Sequence, residues 1–149
     1  FDGTSFMSVL RGDVHEARDY VFGVNTTRGI YNGSNAYPSR SVRDQSYLYI
    51  HNLNFQKKYA NTMTSSRLFK QWLAKNPERA TLYLNRPEEE LYDLQSDPYQ
   101  LNNLANHPEY NKVKASLKSK MLAFMKQQGD KGMETETAAL SRQPKRKAH

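Results

Sequence analysis

The chain has 149 residues, 37% of them hydrophobic and 25% charged, enough for one domain or for one domain with a tail. Its 22 Lys and Arg against 15 Asp and Glu give a net charge of +7, which favours polyanionic partners such as nucleic acid, sulfated glycan or acidic membrane without choosing among them. The absence of cysteine excludes a disulfide framework, a cysteine zinc site and a cysteine nucleophile, and no apolar run approaches the roughly 18–20 residues of a membrane helix.

A mean hydropathy of −0.91 calls for a hydrophilic surface over a small core, and ten Tyr and six Phe against one Trp place aromatics in that core. The chain opens Phe-Asp-Gly, with neither an initiator Met nor a signal-peptide pattern, and reads as the continuation of something longer.

Phe1 to Arg11 reads as a turn followed by one short helical turn, and Tyr20 to Val24 as a buried strand. Asn25 to Ser39, rich in Asn, Gly, Ser and Thr, is a long loop of the kind that carries function or is mobile. Arg40–Arg43 and Tyr47–Asn52 follow as strands joined by the turn Asp44-Gln45-Ser46. A helix capped by Thr64 or Ser65 runs to about Lys75, with Leu68, Phe69, Trp72 and Leu73 at helical spacing, and Ala80–Leu84 adds a second helical piece. Glu90–Leu94 is a strand left through the turn Ser96-Asp97-Pro98. Tyr110, Val113, Leu117, Met121 and Phe124 mark a long amphipathic helix stopped by Gly129. The sum is α+β: a small antiparallel sheet of three to four strands covered by one long helix. Residues 1–130 form the domain and residues 131–149, sparse in apolar side chains, a flexible basic tail.

A self-contained active site is not evident. His15, His51, His107 and His149 lack metal-type pairing, and His51, within a strand, reads as a hydrogen-bonded structural histidine. Glu88-Glu89-Glu90 reads as a solvated charge run, because neighbours in a strand face opposite sides. Asp93 and Asp97 are too few for calcium, and Asp97-Pro98 is better explained as a turn whose carboxylate takes free backbone N–H groups. The Lys145-Arg146-Lys147 end is a solvated tail before it is a polyanion grip. The loop from Asn25 to Arg40 is the strongest candidate site: it carries Thr27, Arg28, Tyr37 and Arg40, and Arg suits forked recognition of sulfate or carboxylate oxygens. A mobile surface loop is the competing reading.

Glu90-Leu91-Tyr92-Asp93-Leu94, then Asp97-Pro98, then Asn103-Leu104-Ala105 resembles the C-terminal signature of type I sulfatases. Tyr37-Pro38-Ser39-Arg40-Ser41-Val42-Arg43 and His51-Asn52-Leu53-Asn54-Phe55 are similar to the heparan N-sulfatase (sulfamidase) branch, and Asp2-Gly3-Thr4-Ser5 to a segment preceding this subdomain. The likeness spans about Asp2 to Asp130.

The resemblance implies a C-terminal subdomain, inactive alone, of an enzyme hydrolysing sulfate esters or sulfamates of a heparan-like sulfated glycan. It implies that formylglycine and calcium belong to an N-terminal α/β catalytic domain, the partner of this chain. Ala36-Tyr37-Pro38-Ser39-Arg40 mimics the formylglycine motif, but Ala36 has nothing to oxidise. The resemblance further implies a periplasmic, secreted or lysosomal location, with neither membrane nor nucleic acid as partner. It suggests that Arg40, Tyr37, Arg28 and Thr27 line the substrate cleft, with Arg40 alternatively a structural tie to the adjoining domain. Before Tyr37 the sequence departs from the sulfamidase branch, whose members carry His and Glu there, so sulfamate and O-sulfate both stay open. An autonomous basic module binding sulfated glycan or nucleic acid is the competing class, separable by steep salt dependence.

Overall fold

The computed structural model describes residues 5–13, 18–26 and 37–139. A short helix α1 (Met7–Leu10) precedes strands β1 (Val21–Asn25), β2 (Ser39–Arg43) and β3 (Tyr47–Asn52). Helices α2 (Arg67–Lys75) and α3 (Pro77–Leu84) lead to β4 (Glu89–Asp93), followed by α4 (Asn111–Gln127) and α5 (Met133–Ala138). The strands form one antiparallel sheet in the order β1-β2-β3-β4. This is the expected α+β architecture.

Register explains why α4 lies where it does. Phe22, Val42, Tyr49 and Leu91 are cross-strand neighbours and so share one sheet face. Leu117, Met121 and Met125, four residues apart, form one stripe of α4 and seal Val42, Tyr49 and Leu91 from water. Phe22 stacks on Phe124 with ring centroids 4.3 Å apart. Each such side chain contributes about 1.5–3 kcal/mol on burial.

The next cross-strand row on that face is Val24, Arg40, His51 and Glu89, and apart from Val24 it is polar. Glu89 accepts from the Tyr49 hydroxyl at 2.7 Å and the Lys118 ammonium at 2.9 Å, with Lys114 at 3.4 Å. The Glu run is therefore a solvated patch only at Glu88, which is exposed; Glu89 holds the helix to the sheet. On the opposite face Glu90 is buried, accepting from Asn52 Nδ2 at 2.6 Å and Tyr92 hydroxyl at 2.5 Å. Alternation across the strand, which excludes a carboxylate dyad, is what sends the two carboxylates to separate partners.

Short polar side chains set the turns. Asp44 Oδ1 accepts from the Ser46 and Tyr47 amides, and Asp97 Oδ2 from those of Leu101 and Asn102. Asn103 accepts from the Leu91 and Ala105 amides and donates to the Glu89 carbonyl, stapling the outer edge of β4. Helix α2 is capped by Ser66, which accepts from the Phe69 amide, rather than by Thr64 or Ser65.

Three further expectations are corrected. The first strand is an edge strand, with Val21 and Val24 exposed on a sheet whose centre is β2 and β3. His51 is not hydrogen-bonded through its buried Nδ1, and burial lowers its pKa. The chain remains folded beyond residue 130: the turn at 131–132 and α5 bring Glu136 inside at 4% exposure, so the tail does not begin at 131.

Burial alone would raise the Glu89 carboxyl, but the hydrogen bonds from Lys118 and Tyr49 and the lysine charges bring it down to about 2 from 4.5. A depressed carboxyl stabilises the fold above its unfolded value, and that contribution is lost as pH falls from about 4.5 towards 2. Denaturant unfolding should show Glu89→Gln less stable than wild type by about 1–2 kcal/mol at neutral pH. The gap should close by about pH 2. A pH-independent gap would show that Glu89 acts by packing alone.

Candidate functional site

The candidate loop leaves β1 and enters β2, and the described residues at its two ends are both tied down. On one side Thr26 donates to Glu136 Oε2. On the other, Tyr37 is 1% exposed, its hydroxyl 3.5 Å from the Arg86 carbonyl that accepts from it and its ring edge-on to Tyr59. Thr27 and Arg28 lie outside the described residues.

Arg40 is 3% exposed, and every donor of its guanidinium is engaged within the chain. Nε donates to Asp130 Oδ2 at 2.5 Å, and Nη1 to the carbonyls of Asn25 and Ser39 at 3.1 and 3.0 Å. Nη2 donates to Glu136 Oε1 at 2.7 Å and to Asp130 Oδ1 at 3.4 Å. A guanidinium has five N–H groups, so none is left for a sulfate or carboxylate of a ligand. Expected as the leading substrate contact, Arg40 instead takes the rival structural role, and within this chain. Tyr37 is likewise turned inwards. The two do not converge on one site: Arg40 sits among Asp130 and Glu136, and Tyr37 against Tyr59 and Arg86.

Local sequence builds the acidic side of the clamp. Helix α4 ends at Gln127, and Gly129 and Gly132 both take φ +65°, a left-handed conformation that only glycine adopts without strain. The turn they allow brings the Asp130 amide back to the Met125 carbonyl and the Gly132 amide onto Asp130 Oδ1. Burial opposes ionisation of Asp130, but the bonds from Arg40 and Gly132 win and lower its pKa. Burial would lower the Arg40 pKa, and the two carboxylates overcome it and raise it. Arg40 and Asp130 thus each favour the charged form of the other, with Glu136 as the second carboxylate on the guanidinium, in a site nearly closed to water.

Among the described residues no group of three His, Cys, Asp or Glu side chains could hold a metal ion. Asp130 and Glu136 are taken by Arg40, and Glu89 by lysines, so these carboxylates do not fit the calcium that the resemblance assigns elsewhere. Sequence reasoning missed Asp130 and Glu136 as functional partners because both fall at or beyond the apparent end of the domain. The signal was the Gly129-x-x-Gly132 pair, a turn rather than a simple stop.

Comparison with known proteins gives this geometry a context. No protein family's sequence profile matches the chain. The chain is 40% identical over 129 residues to an ulvan-active sulfatase of Formosa agariphila, covering 87% of this chain and 25% of that protein. A second ulvan-active sulfatase of that organism is 33% identical over 101 residues, 61% of this chain and 17% of the other. Among solved structures, a 2-O GAG sulfatase shares the fold with TM-score 0.54 and 22% identity over 87% of this chain and 21% of its own. A protein solved with its substrate D-glucosamine-2-N,6-O-disulfate does so with TM-score 0.55 and 19% identity, over 87% and 20%. The chain is thus homologous to part of a sulfatase, and it spans about a quarter of the first curated relative it matches.

Replacing Arg40 by Met should leave two largely buried carboxylates without a counter-charge and cost about 3–5 kcal/mol. The triple variant Arg40→Met, Asp130→Asn, Glu136→Gln should recover most of that loss in denaturant unfolding. Equal instability of the single and triple variants would show that the clamp acts through shape and not charge.

Proposed function

We propose that the chain is the C-terminal subdomain of a sulfatase whose N-terminal α/β domain carries the formylglycine and calcium, and that the complete enzyme hydrolyses sulfate groups of a sulfated polysaccharide. The observation that carries this reading is the 40% identity across nearly the whole chain to one quarter of an ulvan-active sulfatase. The site geometry supplies the subdomain's part. Arg40, Thr26 and Tyr37 fix both ends of the loop that the sequence marks as substrate-lining, and leave Thr27 and Arg28 as its recognition groups. The clamp residues therefore act as positioning residues.

The relatives' names favour ulvan as the polysaccharide, and the wording shared with the sulfamidase branch favours a heparan-like chain with sulfamate. Of these we take the sulfate ester of ulvan first, because the identity extends over more of the chain than the sulfamidase motifs do. Such a substrate lies outside the cytoplasm, which fits a periplasmic, secreted or lysosomal enzyme.

Incubating the complete protein with ulvan and with heparan sulfate, and measuring inorganic sulfate by ion chromatography, tests the proposal. Release from ulvan above release from heparan sulfate is expected. Release from heparan sulfate alone would return the assignment to the sulfamidase branch, and no release from any sulfated polysaccharide would contradict a sulfatase.

A further inference from the structure

The sheet face opposite α4 carries a cleft of about 430 Å³ between α2–α3 and the loop that follows β4. Ile50, Glu90 and Tyr92 form its floor, and aromatic and guanidinium groups form its walls. We infer that this cleft is a subsite for an anionic sugar residue of the polysaccharide, in addition to the loop between β1 and β2. The inference rests on the sulfatase reading for the identity of the polymer, while the chemistry of the cleft stands separately.

The walls have the composition that a charged sugar requires. Trp72 and Tyr83 meet edge-on at 6.0 Å between centroids, giving the cleft rigid ring faces for the C–H side of a pyranose. The Arg86 guanidinium lies 4.5 Å over Tyr59 and 5.2 Å over Tyr83. Its contact with both rings holds the guanidinium at the cleft wall, and a guanidinium is the group suited to a forked bond to sulfate or carboxylate oxygens. Arg79 lines the same wall, is exposed, and joins none of the salt bridges among the described residues. Among the described residues lining the cleft there is one carboxylate, Glu90; it is 7% exposed with its oxygens turned to Asn52 and Tyr92, and the two guanidinium groups of Arg79 and Arg86 outnumber it.

The opposite wall is presented under strain. Tyr99 is 81% exposed, and the next residue, Gln100, has φ +56°, a left-handed conformation unfavourable for a residue with a side chain. The Asp97 carboxylate holds this loop by accepting two amides from it. A large aromatic ring displayed on a strained, pinned loop is a platform. Its surroundings are not those of an ordinary protein–protein interface core, where charge is depleted. The cleft is also linked to the described end of the candidate loop: Tyr37 packs on Tyr59, which packs on Arg86 and Tyr83.

Calorimetry of the complete protein with an ulvan oligosaccharide and with its chemically desulfated counterpart tests the subsite. The sulfated form should bind more tightly, and Arg79→Ala and Tyr99→Ala should each weaken it by about tenfold, the loss of one charged hydrogen bond or one stacking contact. The melting temperature of both variants should stay that of wild type. Unchanged affinity in both variants overturns the proposal. Unchanged affinity with a melting temperature lowered by several degrees also overturns it, and assigns the cleft to the contact with the rest of the chain. Sulfate release is scored separately. Binding through the cleft without release would leave the subsite and remove the sulfatase reading, whereas release with unaltered affinity in the variants would do the reverse.

Discussion

A single buried guanidinium organises the end of this sheet that faces the candidate loop. Arg40 stands on β2, a central strand, and its side chain ties the last residue of β1, the turn after α4 and the helix α5 to one point. Desolvating that charge costs several kcal/mol and is recovered only when each N–H finds a partner. Two carboxylates and two carbonyls meet that demand here, which is why the arrangement fixes geometry more than it adds stability. Through Glu136 and Thr26 the same cluster reaches the start of the loop. The placement of Asn25 and Thr26, where the loop begins, thus depends on a charge that cannot be left unpaired.

The two faces of the sheet carry different work. The face under α4 is an apolar row followed by a charged one, and the helix is seated by Leu117, Met121 and Met125 and then oriented by Lys118 on Glu89. The other face is only partly covered, by aromatic side chains of α2 and α3, and it keeps its charges near a cleft. Exposed Leu82, Tyr99 and Leu101 gather around that cleft, whereas exposed Val21 and Val24 lie on the distant edge strand β1. The free edge of the sheet is thus the more weakly covered one, carrying apolar side chains of β1 that no described residue buries.

Much of this was legible in the sequence. Period-two alternation from Tyr47 to Asn52, the Asp44 turn and the 3–4 spacing from Tyr110 to Phe124 are local signals, and each element appeared where they placed it. The Asp97 turn also formed as its chemistry requires. What sequence could not supply was pairing at a distance. Arg40 looked like a free recognition group because its partners lie 90 and 96 residues away, in a stretch whose low hydrophobicity resembled a tail. Glu89 looked solvated because its lysines belong to a helix far along the chain. The cleft escaped notice because Trp72, Arg86 and Tyr99 come from three separate segments with no shared motif.

The central claim is that Arg40 holds α5 and the loop's flanks to the sheet as one unit. Amide hydrogen exchange on the complete protein, comparing wild type with Arg40→Met under conditions where both remain folded, tests it most directly. The account predicts faster exchange across residues 133–138 and at the loop's flanks, with β3 amides still protected. Equal protection of α5 in the two proteins would contradict it.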